Sequence, residues 1–219
     1  MEIEVIPAIL SKQKGDLLQK ISAVSGLVKT IQLDIMDGKF VPNTTVGLND
    51  LLDLPKAHYE FHWMVSDPQN WISKIKGNHI HLVHIETISS SSTEQSFEKL
   101  FSLIKSIGGE MGLAINPETP IESVLPYANK VRRILVMSVH PGFSGQSYIK
   151  DVESKIRKLR QLYPKLDIEV DGGVNLSTAP GAYAAGANIL AAASALFATP
   201  NIKEAIKNLK NSAQGRCSS

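Results

Sequence analysis

Cysteine is almost absent from this sequence of 219 residues, since only Cys217 occurs, close to the C-terminus. One cysteine cannot form an internal disulfide, so we expect a reducing compartment. The first ten residues, MEIEVIPAIL, carry two glutamates and no basic residue, unlike a secretory signal peptide. These features predict a cytoplasmic protein.

Long apolar runs and a strong charge of one sign are also missing. No apolar stretch approaches the roughly 20 residues that a membrane-spanning helix needs. The formal net charge is +2 without any basic run, so neither nucleic acids nor membranes are expected as partners. Hydrophobic residues make up 43% and charged residues 20%, which is typical of a globular protein.

Linkers and low-complexity segments that would divide the chain are absent too. The serine-rich stretch 87–95 is short and indicates a strand-to-helix loop. We therefore predict a single domain over residues 1–213, followed by a polar tail over 214–219. This length suits a barrel, because barrels commonly contain roughly 200–250 residues.

Short apolar segments recur at nearly even intervals along the chain. Eight of them are predicted as strands, namely EVIPAIL (4–10), TIQLDIM (30–36), YEFHWMV (59–65), HLVHIE (81–86), EMGLAIN (110–116), RILVMSV (133–139), DIEVDGG (167–173) and NILAAAS (188–194). Helical spacing of apolar residues predicts helices over 96–107, 152–163 and 201–210, and weaker helical patterns cover 47–53 and 121–127.

Strands that alternate with helices imply parallel pairing and right-handed crossovers. Eight such units in one domain predict a closed (β/α)8 TIM barrel. A doubly wound open sheet is the alternative, but no G-x-G-x-x-G turn follows the first strand. In a barrel, the chemistry belongs at the carboxyl ends of the strands.

Two carboxylates and a histidine come from predicted strand ends. Asp34 lies in the middle of an apolar strand, where an unpaired charge would cost several kcal/mol. Asp171 comes from strand seven, which can face strand two across the barrel mouth, and His62 comes from the strand beside Asp34. These residue types suit a divalent metal, whose charge would offset both carboxylates.

A pair of acids on opposite sides of a flat intermediate also suits epimerisation. One acid removes a proton from a carbon next to a carbonyl and the other returns a proton to the opposite face, with the metal holding the enediolate between them. Each of these residues alone is more often a hydrogen-bonded structural group than a ligand, and only their combination at strand ends favours a site. His84 and Glu86 either support the site residues through hydrogen bonds or form a pair with a purely structural role.

Turns of small residues, rich in glycine after the sixth and seventh strands, follow the last three predicted strands. They occur in VHPGFSGQSY (139–148), DGG (171–173) and AAASALF (191–197). Glycine exposes backbone N–H groups that can hold a phosphate, and barrels commonly bind phosphate at these strand ends. No lysine or arginine occurs in these turns, so we expect backbone dipoles to bind a small phosphorylated substrate.

Together these motifs resemble one family. The segments are PAILS, LDIMDGKFVPN, FHWMVSDP, GLAINPETP, LVMSVHPGFSGQ, IEVDGGVN and AGANILAAASALF, in order over residues 7–197. The sequence resembles the ribulose-phosphate 3-epimerase family, barrel enzymes that interconvert ribulose 5-phosphate and xylulose 5-phosphate. The resemblance implies one divalent metal ion (zinc, manganese, iron or magnesium). A homo-oligomer is also expected.

The resemblance also implies roles for individual residues. Asp34 and Asp171 would be the acid/base pair and metal ligands, and His62 a further ligand that also contacts substrate. The substrate and phosphate would be held by Gly142, Phe143, Ser144, Gly145, Gly172, Gly173, Ala193 and Ser194.

Several positions depart from the family pattern. Gln32 stands where the family has a metal-binding histidine, and its amide oxygen would be a weaker ligand for zinc. Ala8 replaces a serine that contacts substrate, and Ala193 replaces a glycine beside the phosphate. His140 and Ser144 alter the family's NPGFGG turn. An epimerase for another ketose phosphate, such as allulose 6-phosphate, and a catalytically silent sugar-phosphate-binding relative are therefore alternatives.

Overall fold

The computed structural model describes residues 2–88, 93–143 and 145–216. Eight parallel strands follow one another in chain order and close into a barrel, so the predicted single-domain TIM barrel is confirmed. The strands are β1 Glu4–Ile9, β2 Thr30–Met36, β3 His58–Met64, β4 Ile80–His84, β5 Glu110–Ile115, β6 Arg133–Met137, β7 Asp167–Asp171 and β8 Ile189–Ala192. Most predicted strands extend one or two residues too far, because apolar loop residues continue the strand pattern.

Helices cover the outside of the barrel. They are α1 Lys14–Val24, α2 Leu48–Leu51, α3 Pro68–Ile72, α4 Thr93–Ser106, α5 Glu153–Leu162, α6 Ala179–Ala185, α7 Ser194–Phe197 and α8 Ile202–Ala213. The long predicted helices correspond to α4, α5 and α8. The weak pattern at 47–53 is a single turn of helix, and the one at 121–127 forms two 3-10 turns. No helix in the described ranges could cross a membrane.

The strands are buried on both faces, as a parallel barrel requires. On β2, the outward-facing side chains of Leu33 and Ile35 pack into the apolar layer beneath the helices. The alternate residues Gln32 and Asp34 are equally buried but face the barrel interior, where polar side chains follow one another. The interior of this barrel is therefore unusually polar for a buried region.

One group of polar side chains lies inside the barrel near Arg133, the first residue of β6. We call Glu60, Arg133 and Glu169 the lower cluster. The Arg133 Nη1 atom donates to Glu60 Oε2 at 2.7 Å and to Glu169 Oε2 at 3.1 Å. All three side chains are almost completely buried, so this cluster has no access to a substrate.

Candidate active site

Asp34, His62 and Asp171 meet at the carboxyl ends of β2, β3 and β7. The strand register places Asp34 beside His62, and barrel closure brings Asp171 to them. His62 Nδ1 lies 3.1 Å from Asp34 Oδ1 and 3.6 Å from Asp171 Oδ2. One ligand atom from each residue lies within 4.8 Å of the other two. Together with Gln32 we call these residues the upper cluster.

Gln32 completes the upper cluster from below. Its Nε2 atom donates to Asp34 Oδ1 at 2.9 Å and to Asp171 Oδ2 at 2.7 Å, the same two oxygens that His62 approaches. Its Oε1 atom is buried and has no hydrogen-bond partner among the described residues. A buried amide oxygen without a partner is costly, whereas rotation of the amide would direct that oxygen between the carboxylates.

These atoms fit a divalent metal. A tetrahedral ion about 2.1 Å from nitrogen and oxygen ligands needs ligand atoms roughly 3.4 Å apart. The separations of His62 Nδ1 from the two carboxylate oxygens, 3.1 Å and 3.6 Å, match that requirement. Asp34, Asp171 and His62 would hold the ion, and a rotated Gln32 would add a fourth, weaker ligand.

Electrostatics within the upper cluster favour a positive charge between the carboxylates. Burial alone would lower the pKa of His62, but hydrogen bonds to Asp171 and Asp34 and their charges raise it to about 10. Burial, followed by the charge of Asp171, raises the pKa of Asp34. The protein therefore supplies either an imidazolium or a space for a cation to compensate the two acids.

A second buried histidine lies behind His62. His62 Nε2 is 2.9 Å from His84 Nε2, and His84 Nδ1 is 3.2 Å from Glu86 Oε2. Glu86 lies in the 3-10 turn Ile85–Thr87, so its prediction as part of a strand was wrong. The other oxygen of Glu86 accepts hydrogen bonds from the Asn116 N–H at 2.8 Å and from the Thr119 hydroxyl.

The pKa values of both members of this pair are lowered, but for different reasons. Burial lowers the pKa of His84 to about 4, although the hydrogen bond to Glu86 opposes the shift. Burial alone would raise the pKa of Glu86, but hydrogen bonds from His84, Thr119 and the Asn116 N–H lower it to about 2. His84 is therefore neutral and Glu86 ionised at neutral pH.

A cleft opens above the upper cluster. Nearly all described residues that the sequence assigned to the site line it, namely Asp34, His62, Gly142, Phe143, Gly145, Asp171, Gly172, Gly173, Ala193 and Ser194. Gln32 lies below the cleft, and Ser144 and Cys217 lie outside the described residues. Three methionines also line the cleft, Met36, Met64 and Met137. Side chains from five of the eight strands thus converge on one opening.

The turns after β7 and β8 present unpaired backbone donors to this cleft. Among the described residues, the N–H groups of Gly172, Gly173, Ala193 and Ser194 donate to no protein acceptor. Gly172 has a φ of 112°, and a Cβ there would lie 2.4 Å from a methyl carbon of Val139. Only glycine therefore fits this turn, which leaves its N–H groups for a ligand or water.

The turn after β6 is held in place by two side chains that the sequence analysis did not assign to the site. Asn43 Nδ2 donates to the Gly142 carbonyl at 2.7 Å, and Asn43 itself is buried. Gln146 Nε2 donates to the carbonyl groups of His140 and Phe143 at 2.6 and 2.9 Å. Asn43 and Gln146 both lie within the quoted motifs, so a search for side chains able to bind turn carbonyls could have found them.

A closed parallel barrel with a polar cluster at the carboxyl ends of its strands defines the class of (β/α)8-barrel enzymes. Residues 4–197 match the Ribulose-phosphate 3 epimerase family. The cytoplasmic isoform of ribulose-phosphate 3-epimerase from Oryza sativa subsp. japonica is 35% identical, with 97% of this chain and 95% of that protein covered. The ribulose-phosphate 3-epimerase of Synechocystis sp. is 38% identical, with 96% and 94% covered.

The chain belongs to the ribulose-phosphate 3-epimerase family, so the resemblance inferred from the motifs and the prediction of an enzyme of this family are confirmed. Among solved structures, 3-hexulose-6-phosphate synthase from Salmonella typhimurium matches with a TM-score of 0.67. That match covers 98% of this chain and all of the other, but its 12% identity supports the fold alone.

Proposed function

We propose that this protein interconverts D-ribulose 5-phosphate and D-xylulose 5-phosphate by inverting C3. The observation that carries the proposal is the upper cluster, in which two carboxylates from opposite strands approach one buried imidazole at the floor of a cleft. A binding protein needs no such pair of acids, whereas a two-base epimerisation does. Family membership supports the same substrate.

Asp34 and Asp171 exchange the C3 proton in this mechanism. Ionised, one carboxylate removes the proton from C3, next to the substrate carbonyl, and an enediolate forms. The other carboxylic acid then delivers a proton to C3 from the opposite face, which inverts the carbon. The two groups exchange roles in the reverse reaction, so the enzyme needs one protonated and one ionised acid at the start.

The raised pKa of Asp34 suits this division of roles. Without a bound metal, burial and the neighbouring Asp171 charge raise the pKa of Asp34, as occurs when two carboxylates share a site. A divalent metal bound by Asp34, His62 and Asp171 would supply positive charge that polarises the substrate oxygens. Zinc, manganese, iron and magnesium are the candidates, and the amide of Gln32 favours the harder ions over zinc.

The phosphate group of the substrate binds at the turns beyond the barrel mouth. Unpaired N–H groups of Gly172, Gly173, Ala193 and Ser194 support this assignment, together with the glycine-rich turn at 142–145. Phe143, which is 54% exposed, lies over the same cleft and would cover the bound sugar. This arrangement binds the phosphate through backbone groups rather than through a lysine or arginine.

Solvent exchange tests the proposal. Purified protein is incubated with ribulose 5-phosphate and each divalent metal in D2O, and we expect xylulose 5-phosphate that carries deuterium at C3. Inversion without any label from solvent would contradict the two-acid mechanism. No turnover with any supplied metal would favour the catalytically silent relative.

The same assay distinguishes between candidate substrates. Allulose 6-phosphate is assayed in parallel, and a higher kcat/KM for that sugar would assign the protein to hexulose phosphates. We also propose a cytoplasmic location, which the name of the rice relative supports. The single-domain division at residue 213 and assembly as a homo-oligomer stay predictions, and light scattering of the purified protein measures the latter.

A further inference from the structure

Two buried histidines and the partly exposed Glu86 connect the upper cluster to the loop after β5. Glu86 Oε2 lies 3.2 Å from His84 Nδ1, His84 Nε2 lies 2.9 Å from His62 Nε2, and His62 Nδ1 faces the two aspartates. Both imidazole rings are completely buried, so bulk water cannot replace any of these contacts. The hydrogen bonds along this chain must therefore be complementary.

The positions of the ring hydrogens follow from the donors and acceptors. An ionised carboxylate only accepts hydrogen bonds, so the hydrogen of His84 must be on Nδ1, facing Glu86. A neutral imidazole carries one N–H, which leaves His84 Nε2 as an acceptor. His62 Nε2 must then carry a hydrogen, because two acceptors cannot face each other at 2.9 Å.

We propose that Glu86 and His84 are positioning residues that fix the tautomer of His62 and direct its Nδ1 lone pair at a divalent cation between Asp34 and Asp171. Ligand histidines generally donate their second ring N–H to a fixed acceptor, which orients the ring and raises its basicity. The acceptor here is another histidine, and its own tautomer is set by a carboxylate. The inference rests on the proposed function, because it assumes that the upper cluster binds a metal.

Glu86 is suited to this role because both of its oxygens are occupied. The oxygen that does not face His84 accepts from the Asn116 N–H at 2.8 Å and from the Thr119 hydroxyl. Glutamine at this position has the same shape but one accepting oxygen, so it cannot serve both sides. If the NH2 group of the glutamine faces His84, it donates to His84 Nδ1. The single ring hydrogen of His84 must then be on Nε2, where it points at the hydrogen on His62 Nε2.

A purely structural role for Glu86 would concern the loop at 116–119. That loop has an independent anchor, since Lys155 Nζ donates to the carbonyl groups of Asn116 at 3.2 Å and Thr119 at 2.6 Å. The loop should therefore keep its place when Glu86 is changed. Changes in metal binding and in histidine tautomers then report the positioning role specifically.

Metal affinity is the first measurement. The dissociation constants of Mn²⁺ and Zn²⁺ are determined by competition with a chelating dye, for wild type, Glu86→Gln and the control Thr119→Ala. We expect Glu86→Gln to weaken binding roughly 10–100-fold, as loss of such partners typically does. Thr119→Ala removes one of the two hydrogen bonds that Glu86 accepts from the loop and should bind both metals like the wild type. Equal affinities for all three proteins would overturn the proposal.

A double-mutant cycle separates the tautomer effect from a loop effect. His84→Gln places an amide oxygen where it can accept from His62 Nε2, without any ring tautomer to set. Glu86→Gln should therefore weaken binding in the wild-type background but have little further effect in the His84→Gln background. Additive effects of the two changes would count against the proposal.

Long-range ¹⁵N–¹H spectra of histidine-labelled protein give a readout independent of metal binding and activity. We expect His84 to carry its hydrogen on Nδ1 in the wild type and to show a second tautomer in Glu86→Gln. A His84 signature that is the same in both proteins would overturn the inference. If the wild type binds neither metal, the metal centre of the proposed function fails, while these spectra still decide the role of Glu86.

Discussion

The upper and lower clusters contain the same kinds of side chains but differ in whether their positive charge can be exchanged. Each contains two carboxyl groups that approach one nitrogen base inside the barrel. In the lower cluster the base is Arg133, which is always charged and is sealed from solvent. In the upper cluster it is His62, whose charge can be lost and whose place between the acids a metal can share.

The difference lies in how the charge balance can change. Burial and the neighbouring Glu60 carboxylate raise the pKa of Glu169 well above its ordinary value, and the buried Arg133 charge is a fixed countercharge to the two acids. The upper cluster faces a cleft and depends on a proton or ion that can enter and leave. A buried polar cluster is therefore suited to chemistry when its countercharge is exchangeable, and to structure when it is not.

The largest predicted effect concerns the acids of the upper cluster. Asp34→Asn and Asp171→Asn should each lower kcat about 10²–10⁴-fold, because an amide cannot carry the C3 proton. Steady-state assays with supplied metal measure the loss. The matched control is Glu60→Gln in the lower cluster, which should retain most activity. A similar loss in all three variants would abolish the distinction between the clusters.

The second prediction concerns stability. Arg133→Met should lower the free energy of unfolding by about 3–5 kcal/mol, because two carboxyl groups remain buried without their cation. Urea titration measures the change. A triple variant that also carries Glu60→Leu and Glu169→Leu should regain much of the loss, since no buried charge then remains. A single variant as stable as the wild type would show that the ion pairs of Arg133 with Glu60 and Glu169 contribute little to stability.

The third prediction concerns the strength of metal binding in the upper cluster. Gln32→His should tighten zinc binding, by an amount comparable to the roughly 10–100-fold that supporting groups contribute in metal sites. The wild type should favour manganese or magnesium over zinc. Metal content after prolonged chelation measures retention. A wild type that keeps stoichiometric zinc through chelation would contradict this account of Gln32.

The fourth prediction concerns the turns that we propose to bind phosphate. These turns line the cleft above the upper cluster, whereas the lower cluster is almost completely buried. Gly145 has a φ of 81°, a conformation that costs other residues about 1–2 kcal/mol, so Gly145→Val should raise KM roughly tenfold. Gly15→Val on α1 is the control, because a Cβ there meets nothing within 4 Å. Unchanged KM in both variants would place the phosphate elsewhere.

The smallest effect concerns a carboxylate outside both clusters. Burial alone would raise the pKa of Asp37, but hydrogen bonds from the N–H groups of Ser66, Phe40 and Lys39 lower it to about 2. The ionised form therefore stabilises the fold above pH 4, and this contribution is lost as the pH falls toward 2. Melting temperatures of wild type and Asp37→Asn should converge across that window. A constant difference would assign the contribution to groups other than Asp37.

Several features of this protein follow from the sequence by itself. Apolar strands that alternate with helical patterns predicted the barrel, because parallel strands buried on both faces need continuous apolar runs. The positions of Asp34, His62 and Asp171 at strand ends predicted one common opening. Helices α1, α3, α6 and α7 were not predicted; α3 and α7, with five and four residues, are too short to display a helical period.

Only the tertiary structure decided how the interior groups pair. Gln32 donates to both aspartates, Arg133 bridges two glutamates, and His84 opposes His62 ring to ring. Their sequence separations reach 139 residues in the case of Gln32 and Asp171. Sequence pattern reports which face of a strand a residue occupies, whereas the hydrogen-bond partner depends on barrel closure and on side-chain length. The partners that barrel closure brings together decide which buried acids are inaccessible to a substrate and which are available for chemistry.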